Sequence, residues 1–135
     1  RVQKSTGKYS VGGGYKATYE YDAKGNILRD NIHMTIIQED NTEETIFEST
    51  YKYDDKKEYF SSVNKPSWHF YGKRNVNNIT EISIYSYKII NGVKDTDKGQ
   101  ISTQQYEYKY NADGYPVEML INGKTRQTIE YIKAK

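Results

Sequence analysis

Tyrosine alternates with polar residues through much of this chain, and that two-residue period constrains what it can fold into. Tyr15, Ala17, Tyr19 and Tyr21 are separated by Lys16, Thr18 and Glu20. Tyr51 and Tyr53 flank Lys52, and Tyr106, Tyr108 and Tyr110 are separated by Glu107 and Lys109. Successive side chains of a β-strand point to opposite faces, so each run puts its phenol rings on one face and its charges on the other. A helix would scatter the same residues around its circumference. Fifteen of the 135 residues are Tyr. Leu and Ala, the best apolar helix formers, are scarce, while Ile and Tyr, which favour strands, are abundant. The expected class is all-β. No run approaches the roughly 18–20 consecutive apolar residues of a membrane-spanning helix.

Turn residues divide the alternating runs roughly every eight to twelve positions, the spacing of an antiparallel all-β chain. Strands are expected over 15–21, 27–37, 45–53, around Tyr59-Phe60, and over 79–90, 101–110, 117–121 and 125–132. Turns are expected at Asp22–Gly25, Glu39–Glu43, Asp54–Lys57 and Asn111–Gly114, with a two-residue hairpin turn at Asn122-Gly123. Asn91–Gly99 reads as a polar loop, and Asn64–Asn78 as a long one of the kind usually kept for function. Residues 1–14, with Gly12-Gly13-Gly14, read as a flexible lead-in, and 15–135 as a single domain. The expected architecture is a twisted antiparallel meander of about nine or ten strands, curled into a half-open barrel or wrapped sheet with its tyrosines on the concave side.

One hairpin unit occurs three times. It is Tyr19-Glu20-Tyr21-Asp22-Ala23-Lys24-Gly25-Asn26-Ile27, then Tyr51-Lys52-Tyr53-Asp54-Asp55-Lys56-Lys57, then Tyr108-Lys109-Tyr110-Asn111-Ala112-Asp113-Gly114-Tyr115-Pro116-Val117. Two Tyr at i and i+2 share a strand face, Asp or Asn folds back on the turn backbone, and Gly supplies the positive φ that closes it. The second unit lacks the Gly. The unit resembles the YD repeat of Rhs-type bacterial surface and toxin-shell proteins. With Trp68, Tyr71-Gly72-Lys73 and Asn77-Asn78-Ile79 between its copies, the chain from Tyr15 onward is similar to small secreted and lipoprotein β-domains of unknown function from Bacteroidetes. That resemblance implies an extracytoplasmic place, at the bacterial cell surface or in the periplasm, with any lipid anchor lying outside this chain. It implies no catalytic residue and no cofactor. The chain opens on Arg1-Val2-Gln3-Lys4, which reads as a processed or trimmed start.

The remaining chemistry is sparse. Net charge is +2 with both signs interspersed, so no basic stripe tracks a nucleic-acid backbone, and Cys is absent. His33 and His69 are the only histidines, and no Ser sits in a glycine-flanked nucleophile elbow. Asp95-x-Asp97-x-Gly99 begins like a calcium loop, but Gly occupies the fifth position and no Glu the twelfth. The stretch with most chemical character is Trp68-His69-Phe70-Tyr71, followed by Arg74, Asn75, Asn77 and Asn78. Flat rings stack on apolar faces, and amides and guanidinium hydrogen-bond hydroxyls and carbonyls. Trp68, His69, Phe70, Tyr71, Arg74 and Asn75 are therefore the candidate ligand contacts, for a glycan or a peptide. The alternative is that Trp68 and Phe70 plug the sheet. The expected function is a non-enzymatic binding or adaptor domain, with a glycan, peptide or envelope protein as partner. An interaction module using a sheet edge, or a carrier of an apolar ligand on a Tyr-lined face, stands as the alternative.

Overall fold

The computed structural model describes residues 2–8, 13–38, 41–58 and 75–131. All regular structure among them is strand: β1 (Val2–Lys8), β2 (Gly13–Tyr21), β3 (Ile27–Gln38), β4 (Asn41–Lys57), β5 (Asn77–Ile90), β6 (Val93–Tyr110), β7 (Pro116–Ile121) and β8 (Lys124–Thr128). They form one antiparallel sheet in sequence order, with β1 and β8 as its two ends, so the sheet is not closed into a barrel. The all-β meander expected from the alternation is the fold. Eight strands lie among the described residues, against about nine or ten expected. The short strand expected around Tyr59-Phe60 falls outside the described residues.

Three polar stretches differ from expectation in the same way. Val2–Lys8, inside the expected lead-in, is strand β1 and pairs along β2. Asp54–Lys57, expected to turn, continues β4. Val93–Gly99, expected as loop, belongs to β6, because Asn91-Gly92 already turns the chain with φ of 50° and 81°. A ladder of backbone hydrogen bonds needs no apolar face, so strands with no apolar side to bury leave no periodic signal.

The chain divides into two compact units, Arg1–Tyr51 with Ser83–Thr103, and Lys52–Ile82 with Gln104–Lys135. In the first, the register aligns Ser5, Ala17, Ile32 and Phe47 in one row and Tyr19, Asp30 and Ser49 in another. Residues directly opposite share a face, so Tyr15, Ala17 and Tyr19 pack with Met34, Ile32 and Phe47. Ala17 and Ile46 are buried, at 1% and 5% exposure, and few other apolar side chains among the described residues are. Half-buried rings must therefore supply most of the packing. Tyr19 and Tyr21 lie 6.5 Å apart between ring centres, and Tyr85 and Tyr87 5.4 Å apart. In the second unit Tyr106 and Tyr108 oppose Ile121 and Met119, and Tyr110 opposes the fully buried Pro116.

The first and third hairpin units use one device. Asp22 accepts from the backbone N–H of Gly25 and Asn26 at 2.7 and 2.8 Å, and the Asn26 amide donates to its other oxygen at 2.9 Å. Asn111 accepts from the N–H of Asp113 and Tyr115 at 3.1 and 2.9 Å. Gly25 and Gly114 take positive φ, 103° and 80°. Each hairpin also carries a register shift beside its second Tyr, at Glu20/Tyr21 and at Lys109/Tyr110.

Candidate functional site

The incomplete second unit does something else. Asp54 has no glycine to turn on, and its strand β4 runs to Lys57. Its carboxylate instead becomes the centre of a polar clasp in the second unit. The Tyr110 hydroxyl donates to Asp54 Oδ2. The Asn78 backbone N–H and side-chain amide reach the two carboxylate oxygens, each at 3.2 Å, and the Lys56 N–H reaches Oδ1 at 3.0 Å. Asn78 Nδ2 also donates to the Lys57 carbonyl at 2.9 Å, and Asn77 Nδ2 to the Lys56 carbonyl at 2.8 Å. Tyr53 donates to Asn75 Oδ1 at 3.0 Å, and Tyr108 to the Ile79 carbonyl at 3.0 Å.

Asn77 and Asn78 are 7% and 2% exposed. Buried amides are costly unless bonded, and these are bonded to the end of β4 and to Asp54. These bonds join the end of β4 to the start of β5, and the Glu58 N–H donates to the Val76 carbonyl at 2.9 Å, so the described residues on either side of 59–74 are held together.

Trp68, His69, Phe70, Tyr71 and Arg74 lie outside the described residues. Asn75 lies at their edge, bonded to Tyr53. Asn77 and Asn78, which follow these candidates in the sequence, are buried and bonded within the protein. Asp54 and Tyr110 went unrecognised as members of this cluster. The available signal was a repeat that kept its Asp and lost its Gly, which frees that Asp from turn duty.

The clasp holds its protons firmly. Burial, followed by the Asp54 charge and the neighbouring Tyr106 and Glu58, pushes the Tyr108 phenol up to about 12. Burial and then the bond to Asp54 push Tyr110 higher still. Both phenols are donors at neutral pH and neither is a base. The compact unit formed by 1–51 and 83–103 has a parallel pair, in which Tyr51 donates to Asp30 Oδ2 at 2.5 Å. Asp30 is 8% exposed, and its Oδ1 has no partner among the described residues. Burial first, then Asp30, raises the Tyr51 phenol well above its ordinary value.

The other sequence candidates have structural partners. His33 Nε2 meets Glu44 Oε2 at 2.5 Å, and Lys88 meets Glu43 at 2.5 Å. Asp95 and Gly99 stand in β6, where the Tyr85 ring lies against Gly99. Among the described residues no group of three or more His, Asp or Glu is placed to hold a metal ion. No family model, curated protein or solved structure matches this chain.

Proposed function

We propose that this chain is a non-enzymatic binding or adaptor module acting outside the cytoplasm, at the bacterial cell surface or in the periplasm, with residues 59–74 as its ligand-contacting segment. The observation that carries this reading is the clasp at the base of that segment. Two buried asparagines, one carboxylate and three phenols are committed to fixing where 59–74 begins and ends. Rigid supports under variable segments are how small β-domains present recognition residues. In this reading Trp68, His69, Phe70, Tyr71 and Arg74 meet a glycan or an extended peptide, by ring stacking and by hydrogen bonds from the guanidinium. The phenols turn inward: those of Tyr51, Tyr53, Tyr108 and Tyr110 all serve internal partners, which favours packing over a role as ligand handles. The likeness of the YD hairpins to small secreted and lipoprotein β-domains supports the compartment.

The test is binding to a glycan array and to a displayed peptide library, with the native protein and Trp68→Ala. Native binding lost in Trp68→Ala, with an unchanged far-ultraviolet spectrum, supports the reading. A folded native protein that captures neither class, or a Trp68→Ala variant that binds as well as native, counts against it.

A further inference from the structure

The two outer strands of the sheet are built differently. β8 is five residues long and exposed at every position. Met119 opposes Gln127 and Leu120 opposes Thr125, which leaves Arg126 as an extra residue in a bulge. A short, bulged, cationic edge is what proteins use to stop further strands from adding. β1 has none of that irregularity. Its ladder to β2 runs unbroken from Val2 opposite Glu20 to Lys8 opposite Gly14, and among the described residues nothing pairs with its other side. Seven residues in regular register present a full row of backbone donors and acceptors.

The charge beside β1 selects among partners. Lys4 opposes Thr18 and Thr6 opposes Lys16, so Lys4 and Lys16 share one face as diagonal neighbours, and both are exposed. The acid of β2 on that face is Glu20, at the Val2 end. An added strand would lay alternate side chains over this face. A second copy of β1 would bring a second Lys4 and disfavour the pair, because like charges on adjacent strands repel. Acidic residues at alternate positions would stand one strand from Lys4 and two strands from Lys16, whose long side chain can reach toward them.

We propose that β1 is a docking edge, and that it takes an extended acidic segment of another protein by strand addition, with alternate Asp or Glu side chains beside Lys4 and within reach of Lys16. This inference does not rest on residues 59–74, so the two readings stand or fall independently.

The experiment titrates the isotope-labelled full chain with a synthetic nonapeptide of alternating Thr and Glu, and with its Thr/Lys counterpart, at low salt. Saturable amide shifts are expected in Val2–Lys8 with the acidic peptide and none with the basic one. Lys4→Glu with Lys16→Glu should weaken acidic-peptide binding about fivefold or more and admit the basic peptide. Both substitutions are on exposed side chains, and retained dispersion of the other amide signals verifies the fold. Trp68→Ala should bind the acidic peptide as native does, which separates failure here from failure of the ligand reading above. Shifts confined to β8, no saturable shift, or equal affinity in the charge-reversed variant would overturn the proposal. Concentration-dependent dimerisation of the free protein through β1 would overturn it as well.

Discussion

Tyr110 donates its phenolic hydrogen to the carboxylate of Asp54, 56 residues earlier in the chain, and so joins the third hairpin unit to the second. Tyr51 of the second unit does the same with Asp30, on the return strand of the first, at 2.5 Å. In both pairs a tyrosine buries its ring and delivers its hydroxyl to a carboxylate that would otherwise be costly to hide. This explains how a sheet with so few buried apolar residues holds its packed side together.

The two pairs differ in how much depends on the tyrosine. Asp54 has further donors in Asn78 and the Lys56 N–H, whereas the Tyr51 hydroxyl is the donor seen at Asp30, whose Oδ1 is unpartnered. Tyr51→Phe should cost about 2–4 kcal/mol and Tyr110→Phe about 1–2 kcal/mol, because the first leaves a buried charge unsolvated. Urea unfolding of the two variants checks the order, and an equal loss would contradict it.

Alkaline pH should act through the same phenols. A phenol whose folded pKa lies above its unfolded value near 10 adds stability that is fully present below the unfolded value. That contribution is lost as pH rises through the folded value. For Tyr108 the window ends at about 12, and for Tyr51 and Tyr110 the folded value lies higher. The phenolate absorbance of Tyr51, Tyr108 and Tyr110 should therefore appear only above the ordinary phenol value, together with loss of the far-ultraviolet signal. A single step at the ordinary value with the fold intact would contradict this.

The acid side should report on the first turn. Burial raises the Asp22 carboxyl, but bonds from the Asn26 side chain and from the Asn26, Gly25 and Lys24 backbones outweigh it and lower the value overall. Its contribution is present above the unfolded carboxyl value and is lost as pH falls through the folded one. Asn111 makes the same turn without a charge. Asp22→Asn should therefore keep the turn and lessen the loss of stability between neutral and acid pH, as followed by thermal melts across that range.

Two glycines separate crowding from backbone strain. Gly13 has φ of 149°, and a Cβ there would sit 2.3 Å from the Thr35 carbonyl oxygen. Gly123 has φ of 75° and open space around it. Gly123→Ala should cost about 1 kcal/mol from conformation alone, and Gly13→Ala about 2–3 kcal/mol, because β2 and β3 must also part. Chemical denaturation of the two variants reads the difference.

What could be read in the sequence was what is local. Asp22 with Gly25 and Asn111 with Gly114 each form a turn within five residues, so residue type and spacing carried the whole signal. The tyrosine faces were legible because a half-buried strand alternates. Asp54 was not, because its partners Asn78 and Tyr110 are far away in the chain and only the strand pairing brings them to it. The Asn91-Gly92 turn is the same dipeptide as Asn122-Gly123, yet it was hidden by the polar strand that follows, Val93–Gly99, which has no apolar alternation to reveal it. The β1 ladder was hidden for the same reason. The candidate contacts Trp68, His69, Phe70, Tyr71 and Arg74 came from residue chemistry alone, and the clasp around Asp54 came from the fold.

The most direct test of the interlocking tyrosines is a double-mutant cycle on Tyr110→Phe and Asp54→Asn, read by urea unfolding. Groups in one hydrogen-bonded pair couple by about 0.5–3 kcal/mol, whereas independent sites add to within about 0.5 kcal/mol. The account predicts a coupling of at least about 1 kcal/mol between Tyr110 and Asp54. Additive losses would contradict it, and with it the claim that phenol–carboxylate pairs hold the hairpin units to one another.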